Sequence, residues 1–383
     1  MELIPLPGDA PLAAYEQQAD VLLARWQSAD ATATQIIRSR HPRFLDDKIV
    51  WLQRWMTDDQ ARAIPVGRDD ARLALARWYD FYDWSKLEEY AAAVATTGPV
   101  QRFERAVDAI ISGDATELSR LLAEDPALVR ARSTRVNYFD PPRNRSTLLH
   151  YLAANGVETY RQKSPPNAVA VAKLLLDAGA DPNALQDSYG GQNTTLAMLV
   201  SSSPPRLAGV QVALIDTLID YGASVEPLGK GQCADPLMTA IIHGSLEAAL
   251  ALERRGRRVD SLPAAAGLGR VDDVERLLAS ASPAARHSAI AVAAQHGHTE
   301  IVKLLADSGE DLDRFNPEGH HAHATPLHQA IANGHVDTAK WLIDRGARLD
   351  IRDRIFQSTP LGWADYLQQP AIAEYLRSRG AVE

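Results

Sequence analysis

Thr325-Pro326-Leu327-His328 opens the stretch that decides the fold, and it continues through Ala330, Gly334-His335, Trp341-Leu342-Ile343 and Gly346-Ala347. Each part has a physical role in a pair of short antiparallel helices. Thr325 caps the first helix, and Pro326 sits in its first turn, where the missing N–H costs nothing. Ala330 and Ala332 are small enough for neighbouring helices to approach. Gly334 allows a left-handed turn between the two helices, and Gly346 ends the second. Leu342 and Ile343 face the next pair.

The interval from His328 to Gly346 is 18 residues and works as a ruler. It recurs from Gly362 to Gly380, from Ala291 to Gly309 and from Met238 to Gly256. A degenerate unit lies around Leu262 to Ala281, with Gly269 at the turn. An opening unit runs from about Glu104, with Gly113 at the turn and Leu121-Leu122 in the second helix. Self-similarity at one period is the mark of a solenoid.

The pattern resembles the ankyrin repeat. The resemblance implies an all-α ankyrin-repeat solenoid, built of helix pairs with short β-hairpin fingers and preceded by a small N-terminal helical segment. The expected organisation is a segment over residues 1–100 packed on an array over 101–383. The array has about eight units, and the last, ending Arg379-Gly380-Ala381, is a C-terminal cap.

Two units break the ruler. His150 to Gly179 spans 29 residues and Ala197 to Gly222 spans 25. The extra residues fall between the two helices, at 155–167 and 201–209. Each stretch carries a Pro-Pro pair (Pro165-Pro166 and Pro204-Pro205), which ends a helix and stiffens the connection. Adjacent repeats place both inserts at one structural position, so they are expected to meet on the edge opposite the fingers. Long connections that a compact domain does not need are often functional.

Helical periods precede the array. Residues 11–28 bring Leu12, Tyr15, Ala19, Leu22, Leu23 and Trp26 near one face, and residues 69–81 do the same with Leu73, Leu75, Ala76 and Tyr79. Phe81-Tyr82-Asp83-Trp84-Ser85-Lys86-Leu87 follows, with Asp83 or Ser85 available as a cap. This segment is similar to one in many bacterial ankyrin-repeat proteins, where an aromatic-rich turn precedes a Trp-x-x-Leu helix. The likeness extends to Leu148-Leu149-His150-Tyr151 and the insert after it. It implies the fold and no particular activity. Trp78, Tyr79, Phe81, Tyr82 and Trp84 have the composition of a ligand platform, and the favoured reading is that they pack the helical segment against the first repeat.

Composition narrows the function. Among 383 residues, 46% are apolar and 23% charged, the balance of a globular chain. A formal net charge of -9 weighs against a nucleic-acid partner. Cys233 is the sole cysteine, so no intrachain disulfide or cysteine-based zinc site can form. The start, Met1-Glu2-Leu3-Ile4-Pro5, does not read as a signal peptide, and no apolar run is long enough to span a membrane. A cytoplasmic protein without a membrane partner is expected.

Candidate binding residues gather around the first insert and two hairpins: Tyr138, Arg143, Tyr160, Arg161, Gln162, Lys163, Tyr189, Gln192 and Asn193. An exposed Tyr/Arg/Gln/Asn set is the composition of a recognition surface. An arginine and a lysine beside glycines suit an anion or carboxylate. The alternative is that Arg161 and Lys163 bond the carbonyls of the insert while Tyr160 packs beneath it. His320, His321 and His323 on one finger have the side chains of a metal site, although short histidine tracts on loops are mostly solvated. No metal or other cofactor is expected.

The phosphate-loop, dinucleotide, metalloprotease and nucleophile-elbow patterns are absent. Should the chain be an enzyme, His150, Glu158, Tyr160 and Lys163 are the acid–base candidates, provided the fold gathers them. The favoured function is recognition of a protein partner through the concave ankyrin surface. The alternative is a small-molecule-binding protein or enzyme with a pocket beside the inserts of the second and third repeats. That alternative requires substitution of Arg161 or Lys163 to abolish ligand binding without lowering thermal stability.

Overall fold

The computed structural model describes residues 3–49, 51–139 and 141–382. It is mostly helical, as an ankyrin-repeat solenoid requires, and divides into two compact units, Met1–Ala234 and Asp235–Glu383.

Asp235–Glu383 consists of paired helices. The pair carrying the deciding stretch is Pro326–Ala332 and Val336–Asp344. Its first helix starts as the sequence predicts. His328 Nδ1 accepts from the Thr325 N–H at 3.4 Å and lies 2.8 Å from Thr325 Oγ1. Gly334 and Gly346 take φ of +71° and +99°, the left-handed region that favours glycine. Pairs of the same build are Pro236–Ile242 with Leu246–Arg254, Leu262–Gly267 with Val271–Leu278, and Pro360–Tyr366 with Pro370–Ser378. One pair departs from the pattern: its first helix, Pro283–Gln295, starts a turn early because Ser282 caps it through the Ala285 N–H.

In Met1–Ala234 the predicted N-terminal helices form as Leu12–Gln27, Arg68–Trp78 and Trp84–Val94, the last capped by Asp83. Two further helices, Ala31–Arg40 and Asp58–Arg62, have apolar faces too short to read as a period. Tyr15, Leu22, Trp26, Ile37, Phe44, Leu75, Tyr79, Phe81 and Leu87 form one buried core, with Trp78, Trp84 and Tyr160 packed on it. Tyr82 departs from this packing and is 51% exposed.

Helix Pro99–Ser112 buries Phe103, Ala106, Val107 and Ile110 along one face, and buries Glu104 with them. It pairs with Ala115–Glu124. In the second helix pair the first helix is a single turn, His150–Ala153, before Ala168–Asp177. Next comes an antiparallel hairpin, Leu185–Ser188 with Gly191–Thr194, closed by Tyr189-Gly190 with both residues at positive φ. That is the two-residue turn whose twist matches paired strands. The third pair, Thr195–Leu199 and Gln211–Asp220, encloses an added helix, Ser203–Leu207.

Candidate functional site: a cleft between the fingers and the first insert

The first insert does not loop out. Ala154 and Gly156, at φ of +48° and +70°, turn the chain back, and Thr159–Arg161 forms a short 3-10 helix. The Thr159 N–H donates to the buried Asp80 carboxylate. Tyr160 stacks on Trp78 at 6.0 Å between ring centres and meets Tyr79 edge-on at 5.1 Å. The insert therefore binds the helical segment that precedes the array.

Arg161 is corrected most by the structure. It was expected to be exposed, with bonds to the insert's carbonyls as the alternative, and it is 0% exposed, the largest fully buried side chain described. Its Nη1 lies 2.6 Å from Glu104 Oε2 and 3.8 Å from Glu158 Oε2. Arg135 completes the cluster, with Nε 3.4 Å from Glu158 Oε1 and its guanidinium over the rings of Phe81 and Tyr90. Tyr90 Oη donates to the Gly8 carbonyl and lies 3.0 Å from Glu104 Oε2. Two guanidiniums and two carboxylates enclosed together neutralise one another. Isolated, each would be too costly to bury.

Of the acid–base candidates, Tyr160 and Lys163 border one hollow, and His150 and Glu158 do not line it. His150 repeats the His328 device, with Nδ1 accepting from the Thr147 N–H at 3.1 Å. Burial pushes its pKa down to about 3, so it is a neutral capping group. Glu158 faces Arg135 and Arg161. Burial raises the Tyr160 hydroxyl well above its usual value, although Arg135 opposes this, so it stays protonated. Lys163 is exposed and borders a shallow hollow with Tyr160 and Asp108.

Other candidates converge. A cleft of about 790 Å3 is lined by Tyr138, Phe139, Gln162 and Tyr189 together with Trp51 and Tyr82. Tyr138 Oη accepts from Arg40 Nη1 at 2.6 Å, and its N–H donates to the Asp80 carbonyl. Tyr189, 56% exposed, donates through its hydroxyl to Asn155 Oδ1 at 2.6 Å. Gln162 Nε2 donates to the Val157 carbonyl at 2.9 Å. Asp80 ties the floor together, since its carboxylate holds the insert and its carbonyl holds the Tyr138 hairpin. Burial raises its pKa to about 6 against the pull of Arg40.

Besides Tyr160, Arg161 and Lys163, three further residues of the binding set lie off the cleft lining. Arg143 and Gln192 are exposed nearby on the hairpins. Asn193 is 1% exposed, and its amide donates to Ser188 O and Oγ, pinning the hairpin from inside. The inserts do touch, through Asn155 Nδ2 to Ser201 Oγ at 3.1 Å and Ser202 Oγ to the Ala154 carbonyl at 3.2 Å. However, the first insert lies beside the fingers and not opposite them, because Tyr189 reaches Asn155. None of residues 201–209 lines the cleft.

Sequence reasoning missed the wall formed by Pro42, Leu45, Asp46, Asp47 and Trp51. This irregular stretch is closed by a single bridge, Leu45 to Gln53, and has no period to read. The available signal was Trp51 itself, a tryptophan in a stretch with no apolar period to bury it, and the structure leaves it 62% exposed.

On the His-rich finger the three imidazoles turn to different neighbours. His320 Nδ1 is 3.2 Å from the Glu318 carbonyl, His321 Nε2 is 3.3 Å from the Ile242 carbonyl, and His323 packs near Trp363. Among the described residues no group of three or more His, Cys, Asp or Glu is placed to hold a metal ion. No described helix is long and apolar enough to cross a membrane.

A model of ankyrin repeats in three copies matches residues 262–353. Human cyclin-dependent kinase inhibitor 2A is 35% identical over 124 residues, which are 31% of this chain and 76% of that protein. An ankyrin repeat-containing protein of Schizosaccharomyces pombe is 37% identical over 63 residues, 16% of this chain and 28% of the relative. An L-asparaginase of Dirofilaria immitis is 33% identical over 90 residues, 24% of this chain. The chain spans only 14% of that enzyme's length, so its activity is not carried across by the match. The repeat model and a relative matched over three quarters of its own length agree, and the chain belongs to the ankyrin-repeat family.

Proposed function

We propose that the protein is an interaction module that recognises a protein partner, with the fingers and the first insert of Met1–Ala234 as the contact surface. Ankyrin repeats are generally protein-interaction modules, and a kinase inhibitor among the relatives fits protein binding. The observation that carries the reading is the gathering of Trp51, Tyr82, Tyr138, Phe139 and Tyr189 around one cleft. Exposed aromatics in a concave setting, rimmed by polar groups, are the composition of binding hot spots. The binding residues proposed are Tyr138, Arg143, Gln162, Tyr189 and Gln192, joined by Trp51.

The chain is further read as a helical segment over 1–100 and an array of about eight repeats over 101–383, acting in the cytoplasm of a bacterial cell. The lone cysteine suits a reducing compartment, and the N-terminal resemblance suits a bacterial source.

A second reading has support in the cleft's size. A volume of about 790 Å3 suits a small-molecule pocket as well as a peptide. The test is affinity capture from source-cell extract with the wild type and with a Trp51→Ala, Tyr189→Ala variant, followed by mass spectrometry. A protein retained by the wild type and lost by the variant supports the interaction module. A metabolite behaving that way favours the second reading, and a protein retained equally by both removes the cleft from the account.

A further inference from the structure

The ionisable groups of the cleft lining are unbalanced. Among the described residues, Asp46, Asp47 and Asp187 face it against a single lining cation, Arg77, whose guanidinium is laid over the Tyr138 ring at 5.6 Å. Asp46 is committed to its own loop, where Oδ1 accepts from the Lys48 and Ile49 amides at 2.8 and 3.0 Å. Asp187 has only the Gln192 amide at 3.3 Å and no cationic partner among the described residues. Asp47 pairs with Arg54, but the two side chains are 85% and 41% exposed. A pair so open to water is held weakly and exchanges readily with an incoming guanidinium.

Aromatic faces complete the set. Trp51, Tyr82 and Tyr189 are each more than half exposed and line the same cleft. An indole or phenol face attracts a cation through its quadrupole, most strongly where water is partly excluded. Carboxylates beside aromatic faces therefore favour a guanidinium or ammonium, whereas an acidic segment would meet three like charges. The polar lining from Thr159 and Gln162 offers partners to a peptide backbone beside such a side chain.

We propose that this cleft takes a basic segment of a partner protein, seating an arginine or lysine side chain among Asp47, Asp187, Trp51 and Tyr189. The inference rests on the interaction-module reading and names the chemistry of the partner. The probes are short fluorescein-labelled Gly/Ser peptides carrying two arginines, two glutamates or neither, titrated against the full chain by fluorescence anisotropy. The arginine peptide binds, the other two do not, and its affinity falls as salt is raised. Asp47→Asn with Asp187→Asn weakens it by at least about fivefold, and Trp51→Ala does the same. All three positions are at the surface or make no capping bond, so the variants keep the wild-type melting curve. Arginine and glutamate peptides binding alike, or the neutralised variant binding as the wild type does, overturns the inference. If no peptide binds while cellular capture is still lost on Trp51→Ala with Tyr189→Ala, the basic-segment inference falls and the interaction module stands.

Discussion

Replacing Arg161 by methionine probes the reasoning that places this residue in the core and not in the site. Methionine fills much of the same volume and removes the charge. Glu104 then loses its 2.6 Å partner and retains the Tyr90 hydroxyl at 3.0 Å and Arg135 at 3.8 Å. Removing one member of a buried ion pair typically costs about 3–5 kcal/mol, because the other charge is left uncompensated. The surviving contacts put the expected loss near the lower end, about 3 kcal/mol. Five of the seven tryptophans lie in Met1–Ala234, so urea unfolding followed by intrinsic fluorescence reports mainly on the affected unit. Glu104→Gln in the same background removes the orphaned charge, and the double variant is expected to recover at least about 1 kcal/mol relative to additivity. Lys163→Ala, at an exposed position, should stay within about 0.5 kcal/mol of the wild type. An Arg161→Met variant that unfolds with the wild type would refute the buried cluster. It would also restore Arg161 to the surface role suggested by its sequence context.

Other outcomes follow from the same geometry. Asp80 has a folded pKa of about 6, above the unfolded 3.8, so its charge burdens the fold only as pH rises through that interval. Asp80→Asn keeps an acceptor for the Thr159 N–H. Between pH 4 and pH 7.5 it should gain up to about 3 kcal/mol on the wild type, read by urea titration at both pH values, and an equal difference at the two would contradict this. At Gly156 an added Cβ would stand 2.3 Å from Gln186 Nε2 at φ +70°, so Gly156→Ala should destabilise by more than about 1 kcal/mol. In the other unit, Asp353 accepts from the Ile355, Phe356 and Ser358 amides and from the Trp363 indole. Burial raises its pKa, but these bonds outweigh it and hold the carboxyl below 3.8. Its stabilisation is thus present above pH 3.8 and lost as pH falls through the lowered value. Asp353→Ala should cost at least about 2 kcal/mol and shift Trp363 emission to the red, and unchanged emission would count against the turn described.

The repeat was legible because it is local. A threonine, a proline and two glycines at fixed offsets specify a cap, a first turn and two left-handed corners, and Thr325, Pro326, Gly334 and Gly346 take those places. The burial of Arg161 depends on Glu104, far away in sequence, and Tyr/Arg/Gln/Lys composition reads the same on a surface as in a core. One signal was available: Glu104 falls on the apolar face of its helix, among Phe103, Val107 and Ile110, where a carboxylate requires a buried cation. Tyr138 and Tyr189 were expected on exposed hairpins, and both line the cleft, because hairpin tips project by construction. The Pro42–Trp51 wall was not, since a stretch without periodicity is positioned entirely by what it packs against.

Site-specific photo-crosslinking in the source cell tests the central claim most directly. A photoreactive residue at Trp51 or Tyr189 lies in the cleft, and one at Leu207, 84% exposed on the second insert, lies outside its lining. The account predicts a discrete protein adduct from the first two positions and none from the third. Adducts from Leu207 alone, or none from either cleft position, would contradict it.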